Sequence, residues 1–480
     1  MAGSQGTAYS LLNTGRRQDG TDAQSDPRAH RGQVALGSSH SNDGNRRPAG
    51  PGRARHFIAA RGDESSARLW PAVLDHLDAP AGRIATYSEV RFAGEGEKLA
   101  IPDGGIVVER GKTRWRCLVE VKTENAALRA EQVAGYLELA RRNGIDAVLT
   151  ISNQITSSPR EPAVTLDPKV LKKVTLRHLS WWHILTEAID QSRHRLISDP
   201  DQAWILDELI AYLDNERSGA SGFEDLGDKW VAVRDGARAQ TLNASDAGVR
   251  EVAARWEQFV QYLALGLRQD LGRDVTTVWP KSLDLGARRE AIIAGLAGTG
   301  HLTGTVKVPD AVAPIQIDVD LRSRQVTTSI EIAAPREGRS TTRITWLMRQ
   351  LKDAPSNLRI DVRFPLVKDT TSRLLTAAQE RPDRLLLASD PKREPRLFTL
   401  ALTAPMGVKR GKKSGSFVGE SKSQVLDFYR VVVQQIKPWA ATAPRLPSPP
   451  EESEPEASPR PPDFSAEDTR DPGEGRDPTI

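Results

Sequence analysis

The stretch Ile101–Tyr136, IPDGGIVVERGKTRWRCLVEVKTENAALRAEQVAGY, constrains the chain more than any other. Two apolar runs, Ile106–Val108 and Trp115–Val121, flank the tetrapeptide Arg110-Gly111-Lys112-Thr113. Glycine at the first of two turn positions is a type II′ hairpin signal, because primed turns match the right-handed twist of paired strands. Once Arg110 faces Thr113, Asp103 faces Glu120. Directly opposed residues have Cβ atoms roughly 4.5–5.5 Å apart, so two carboxylates share one face. Lys122 lies two residues beyond Glu120 and joins that face, whereas Cys117, Val119 and Val121 point into a core. Neighbouring carboxylates repel unless neutralised, and a hard divalent cation with oxygen ligands does this. An ammonium beside such an ion can orient a water for attack.

The flanking sequence predicts the frame around this hairpin. Leu69, Trp70, Val73, Leu74 and Leu77 stripe a helix over Ser65–Leu77. Ile84–Phe92 reads as a strand, with Val90 and Phe92 on one face and Glu89 and Arg91 on the other. The charged, Gly-containing loop Ala93–Ala100 is placed to border a substrate channel. After the hairpin, Asn125 is the expected N-cap of a helix that runs to Arg142 and is ended by Asn143-Gly144. Val133, Leu137 and Ala140 form its apolar stripe, and Gln132 and Tyr136 sit one turn apart on one face. Ala147–Ser152 is a short buried strand, and the helical crossover leading to it favours parallel pairing. Val174–Leu179 is a further strand. Ser180 caps a helix whose Trp181, Trp182, Ile184 and Leu185 read as core. His178 and His183 match no metal-ligand spacing.

Pro102-Asp103, Glu120-Val121-Lys122 and the Gln132/Tyr136 pair together resemble the motifs of the PD-(D/E)xK nuclease superfamily, in the QxxxY branch similar to RecB-type nucleases. An acid-x-Lys triplet alone carries almost no information. Asp167-Pro168-Lys169 and Asp390-Pro391-Lys392 have a central proline that cannot sit in a paired strand, and Glu420-Ser421-Lys422 lies in a Gly/Ser/Lys-rich stretch. The resemblance covers roughly Ser65–Ile189. It implies an α/β fold with a restriction-endonuclease-like αβββαβ core built on a mixed sheet. It also implies that Asp103 and Glu120 bind Mg²⁺ (or Mn²⁺), with the Val121 backbone carbonyl completing the metal shell. Lys122 would position or activate the attacking water, and Gln132 and Tyr136 would support the site and the nucleic-acid backbone. A further acidic ligand from nearby is part of that pattern, with Glu89 and Glu64 as candidates. The implied function is Mg²⁺-dependent hydrolysis of phosphodiester bonds in DNA, in repair or in defence against foreign DNA.

A chain of 480 residues has room for two or three domains. Five segments are expected: a disordered 1–62, a nuclease-like domain over 63–198, a helix and linker at 199–222, a C-terminal α/β accessory domain at 223–440, and a disordered, Pro-rich acidic tail at 441–480. The linker centres on Arg217–Gly222. The tail carries ten Asp/Glu against three Arg after Pro450, too polar to build a core. The single cysteine excludes an internal disulfide and a Cys-rich zinc site. No run of about 18 apolar residues exists to span a membrane, and the N-terminus lacks a signal-peptide core, so a cytoplasmic protein is expected. No Walker-type GxxxxGK[ST] occurs, so any ATP-driven motor is a separate partner.

In the C-terminal half, Ile315–Leu321 and Val326–Ile332 alternate as a hairpin. A helix striped by Ile344, Leu347, Met348 and Leu351 and a strand at Leu358–Phe364 follow, an order that echoes the first half. Ala253–Leu267 is another helix, with Trp256, Phe259, Val260 and Leu263 on one face. Arg343, Arg349 and Lys352, then Arg359 and Arg363, then Lys409, Arg410, Lys412 and Lys413 are clusters suited to a polyanion. The net charge of +4 permits such binding without demanding it. Two other readings are a nuclease-type fold that grips nucleic acid without cutting, and a scaffold that recruits partners. Double-strand cutting would require a homodimer or two successive nicks.

Overall fold

The computed structural model describes residues 69–440, apart from 93–100, 124–125, 196, 198, 216–217, 219–221, 410 and 412. The expectations for 1–62, Glu64, the loop Ala93–Ala100, Asn125, most of the linker, Arg410, Lys412 and the tail beyond 440 lie outside the described residues. The protein is mixed α/β, with one mixed and one antiparallel sheet.

The first sheet has five strands in sequential order: β1 (Arg83–Ser88), β2 (Gly104–Arg110), β3 (Thr113–Val121), β4 (Ala147–Ser152) and β5 (Thr175–Ser180). β1, β2 and β3 pair antiparallel. β3–β4 and β4–β5 pair parallel. The β2–β3 turn has the expected register, Arg110 facing Thr113 and Gly104 facing Val119. Gly111 takes φ +60°, the left-handed conformation that makes this two-residue turn possible.

Helices cover both faces of this sheet. α1 (Leu69–Asp75), α3 (Trp181–Ile189) and α4 (Pro200–Asp214) pack against Cys117, Val119, Val121, Leu149 and Ile151. α2 (Ala130–Arg142) packs on the other face against Leu118, Val148 and Leu176. Val133, Leu137 and Ala140 are buried there as their spacing requires. Asn143 is the C-cap residue of α2, and Gly144 follows at φ +62°. The start of α2 differs from expectation. The backbone of Lys122 is still tied to the sheet through the Ile151 carbonyl, and a turn closes from Ala126 N–H to Thr123 before the helix begins. Arg129, not Asn125, is its N-cap, and it makes no side-chain cap. β1 is also shorter than the run Ile84–Phe92. Glu89 adopts φ +49°, which ends the strand, and the N–H groups of Glu89 and Val90 bond instead to the carbonyls of Asp103 and Pro102.

The second sheet has seven strands, all antiparallel, in the order β11 (Thr370–Leu374), β10 (Arg359–Arg363), β12 (Leu397–Pro405), β9 (Gln325–Ala333), β8 (Ile315–Asp320), β7 (His301–Lys307) and β6 (Thr276–Thr277). After the short helix α5 (Trp230–Ala239), its long helix α6 (Ala247–Leu271) carries the buried Trp256, Phe259, Val260 and Leu263. Trp256 Nε1 donates to the Thr303 carbonyl at 2.7 Å, so the helix is pinned to β7 (His301–Lys307). The echo of the first half is not a second copy of it. β10 (Arg359–Arg363) lies antiparallel between β11 (Thr370–Leu374) and β12 (Leu397–Pro405), with no parallel crossover.

Strands β1–β5 precede residues 199–222 and β6–β12 follow them, yet both sheets belong to one unit that runs to Trp439. Polar contacts among the described residues join them. Arg288 and Arg289 of α7 (Leu285–Thr299) bond to Glu257 of α6 and reach Ser157 and Glu161 beyond β4. Arg268 of α6 meets Glu187 and Asp190 at the end of α3.

Three residues of the expected polyanion clusters are engaged within the fold. Arg343 is buried and bonds to the carbonyls of Gly338, Arg336 and Pro395 and to Glu394. Arg359 pairs with Asp361 and Arg363 with Glu331.

Candidate functional site

The hairpin ends where its charged residues gather. Gly104 faces Val119 in the register, so Asp103 is the next residue on its strand opposite Glu120. Asp103 Oδ2 accepts the Val121 N–H at 2.8 Å. The N–H and C=O of one strand residue point to the same edge, so the Val121 carbonyl also looks toward Asp103. Lys122 is fixed through its backbone: its N–H bonds to Ile151 O at 2.8 Å and its carbonyl accepts from Trp181 Nε1 at 2.8 Å. Trp181 therefore serves as core and as a strut beneath this strand.

Glu120 is the centre of the cluster. It is 2% exposed, on the sheet face covered by α2. Its Oε1 accepts from Lys122 Nζ at 2.5 Å and from Gln132 Nε2 at 2.8 Å. Its Oε2 is buried and has no hydrogen-bond partner, and the Gln132 Oε1 is in the same condition. Gln132 Nε2 also lies 3.2 Å from the Tyr136 hydroxyl, which in turn donates to the Ile101 carbonyl. Burial raises the Glu120 pKa above the ordinary carboxylate value. The Lys122 hydrogen bond pulls it back, and the nearby Asp103 charge raises it again. Burial, and then the Glu120 charge, push the Tyr136 phenol up.

A buried carboxylate oxygen without a donor costs roughly 1–3 kcal/mol or more. The Lys122 and Gln132 donors both address Oε1, so a cation or a proton is what would satisfy Oε2. A hard dication fits an oxygen-rich donor set of Asp103, Glu120 and the Val121 carbonyl. The structure thus brings together Asp103, Glu120, Val121, Lys122, Gln132 and Tyr136. It does not bring in Glu89. That carboxylate is largely exposed and lies 3.9 Å from Arg91, and no three-acid group containing it converges among the described residues.

Glu120, Thr150 and His178 are laterally paired across the parallel strands, so they form one polar row on the α2 face. His178 is buried between the Thr150 hydroxyl at 2.9 Å and the Gln154 carbonyl at 2.7 Å. Burial holds its pKa down at about 4. The unfolded chain takes up this proton near pH 6.5 and the folded chain does not, so the contribution is complete above pH 6.5 and falls away toward pH 4. A loss of about 3 kcal/mol from this residue is expected below pH 4. Urea midpoints measured from pH 7.5 to pH 4 should decline more steeply in the parent than in His178→Gln; equal slopes would contradict this assignment.

Two other features were not legible in the sequence or do not belong to this site. A hollow of about 360 Å³ is lined by Arg160, Lys172, Lys173 and Arg177 at the start of β5, the opposite end of the parallel strands from Lys122. Two of its cations, Arg160 and Arg177, are held by Asp78. On the sheet face away from Glu120, His76, His183 and Glu187 converge. His183 has no informative spacing to His76, and only the packing of α1 on α3 brings them together.

Searches of protein-family models, of curated proteins and of solved structures find no match to this chain. No described helix is long and apolar enough to cross a membrane.

Proposed function

We propose that the chain is a metal-dependent nuclease that hydrolyses phosphodiester bonds in DNA, and that its first sheet with α1, α2 and α3 forms a restriction-endonuclease-like core. The element order α1-β1-β2-β3-α2-β4 and the mixed pairing of β1–β4 are compatible with that core. The observation that carries the reading is the buried, partnerless Glu120 Oε2 beside Asp103 and Lys122 at the end of one hairpin.

Asp103, Glu120 and the Val121 carbonyl would hold Mg²⁺ or Mn²⁺, which when bound would polarise the scissile phosphate and acidify a water. Gln132 donates to Glu120 Oε1 and so fixes the rotamer that aims Oε2. Asp103 holds the Val121 N–H, which locks the strand edge carrying the carbonyl. Lys122, 15% exposed, keeps its ammonium in place against Glu120 and offers positive charge to a developing phosphorane. Because burial raises the Glu120 pKa, cation binding must displace a proton in acid, and metal affinity should rise with pH.

The test is supercoiled plasmid incubated with the full chain in Mg²⁺, Mn²⁺ or chelator, beside Lys122→Ala. Metal-dependent nicking or degradation is expected, slowed about 10²–10³-fold in the variant. Salt-sensitive DNA binding with no cleavage in any metal would replace this reading with a non-cleaving binder. Equal cleavage by the variant would remove Lys122 from the chemistry.

A further inference from the structure

We infer that His76, His183 and Glu187 form a second metal site, of zinc type, on the sheet face opposite Glu120. His183 and Glu187 are four residues apart on α3 and so share a helix face. His76 follows directly on α1. His183 Nε2 lies 3.2 Å from His76 Nε2, which lies 3.1 Å from Glu187 Oε1. The three ligand atoms all fall within 4.8 Å of one another. Ligand atoms about 2.0–2.1 Å from a tetrahedral zinc ion are about 3.3 Å apart, so the two short separations already match the edges of such a polyhedron.

Proton counting favours the same conclusion. A neutral imidazole has one N–H. If His76 Nε2 donates to Glu187, it offers no lone pair to His183; if it accepts from His183, it offers no proton to Glu187. One hydrogen cannot satisfy both contacts well, whereas a cation uses all three lone pairs at once. The surroundings supply what a metal centre needs. Arg268 grips Glu187 through both carboxylate oxygens, at 2.9 and 3.0 Å, and so orients the ligand. Asp190, one turn beyond Glu187, is 1% exposed and its Oδ1 has no partner. Two buried carboxylates thus face one buried guanidinium, with Arg195 reaching Asp190 from the surface at 3.1 Å. Glu187 would supply the anionic ligand, and a water would take the fourth position of the ion. His76 is 23% exposed and leaves a route of entry.

The consequence is structural. The ion would clamp α1 to α3, and α3 begins with Trp181, which anchors the Lys122 backbone. The inference does not rest on the nuclease reading, and its test does not use cleavage. Full-length protein is stripped with chelator, reloaded with Zn²⁺, passed through gel filtration and assayed for bound metal and melting temperature. Parallel samples take Co²⁺ and are read by visible absorption. About one retained zinc per chain, a melting temperature raised by several degrees and a tetrahedral cobalt spectrum are expected. Asp103→Ala should retain the zinc. His183→Ala should lose it, and because that position is buried in the fold, the more accessible His76→Ala is the decisive variant. No zinc in the parent, or equal retention by His76→Ala, would overturn the site and leave a hydrogen-bonded histidine pair.

Discussion

Replacing Glu120 with Gln is expected to abolish metal-dependent cleavage, by about 10³-fold or more, and in chelator to raise the melting temperature. Both effects come from the same atom. The glutamine keeps an oxygen for the Gln132 and Lys122 donors, but it removes a carboxylate charge that burial disfavours in the empty site. The isosteric change cannot supply Oε2 as an anionic ligand. In excess Mg²⁺ the order of stability should reverse, because only the parent gains binding energy from the ion. Scanning calorimetry of both proteins, in chelator and in Mg²⁺, checks this. A variant that melts lower than the parent in both conditions would mean that Glu120 is a structural partner of Lys122 and not a metal ligand.

Removing Glu257 should cost about 3–5 kcal/mol. This carboxylate is fully buried and is shared by Arg288 and Arg289, whose other nitrogens reach Ser157 and Glu161 across the junction of the two sheets. Glu257→Ala leaves Arg288 without a carboxylate partner and Arg289 with Glu161 alone. The expected result is a large drop in the urea midpoint, detected equally by probes in either half, because both sheets share one compact unit. Glu257→Leu combined with Arg288→Met and Arg289→Met should recover much of the loss, since an apolar cluster needs no desolvated charge. A Glu257→Ala variant within about 0.5 kcal/mol of the parent would show that the junction is wet and that the halves are only loosely joined.

The candidate site was legible because each of its determinants is local. A glycine at φ +60° sets the hairpin register, a period of two sorts Glu120 and Lys122 from Val119 and Val121, and a spacing of four puts Gln132 over Tyr136. The same arithmetic overreached at Glu89, where a positive φ ends the strand that alternation would have continued. It overreached again in the C-terminal half, where a hairpin-helix-strand order looked like a repeat although β10 pairs antiparallel. Charge clusters read as a surface for polyanions proved partly internal, since Arg343 is buried among carbonyls.

The sequence by itself determined the β2–β3 hairpin, the side of the sheet on which its acids stand, the crossover through α2 and the capped start of α3. These follow from turn chemistry and from periods of two and about four, which act over a few residues. Only the tertiary structure decided that Glu120 would have one oxygen crowded with donors and the other bare, that His76 would meet a glutamate 111 residues away, and that Glu257 would bind two arginines under the junction of two sheets. Those contacts depend on where helices settle on sheet faces. That placement is set by the packing of whole apolar surfaces, and no short-range pattern encodes it.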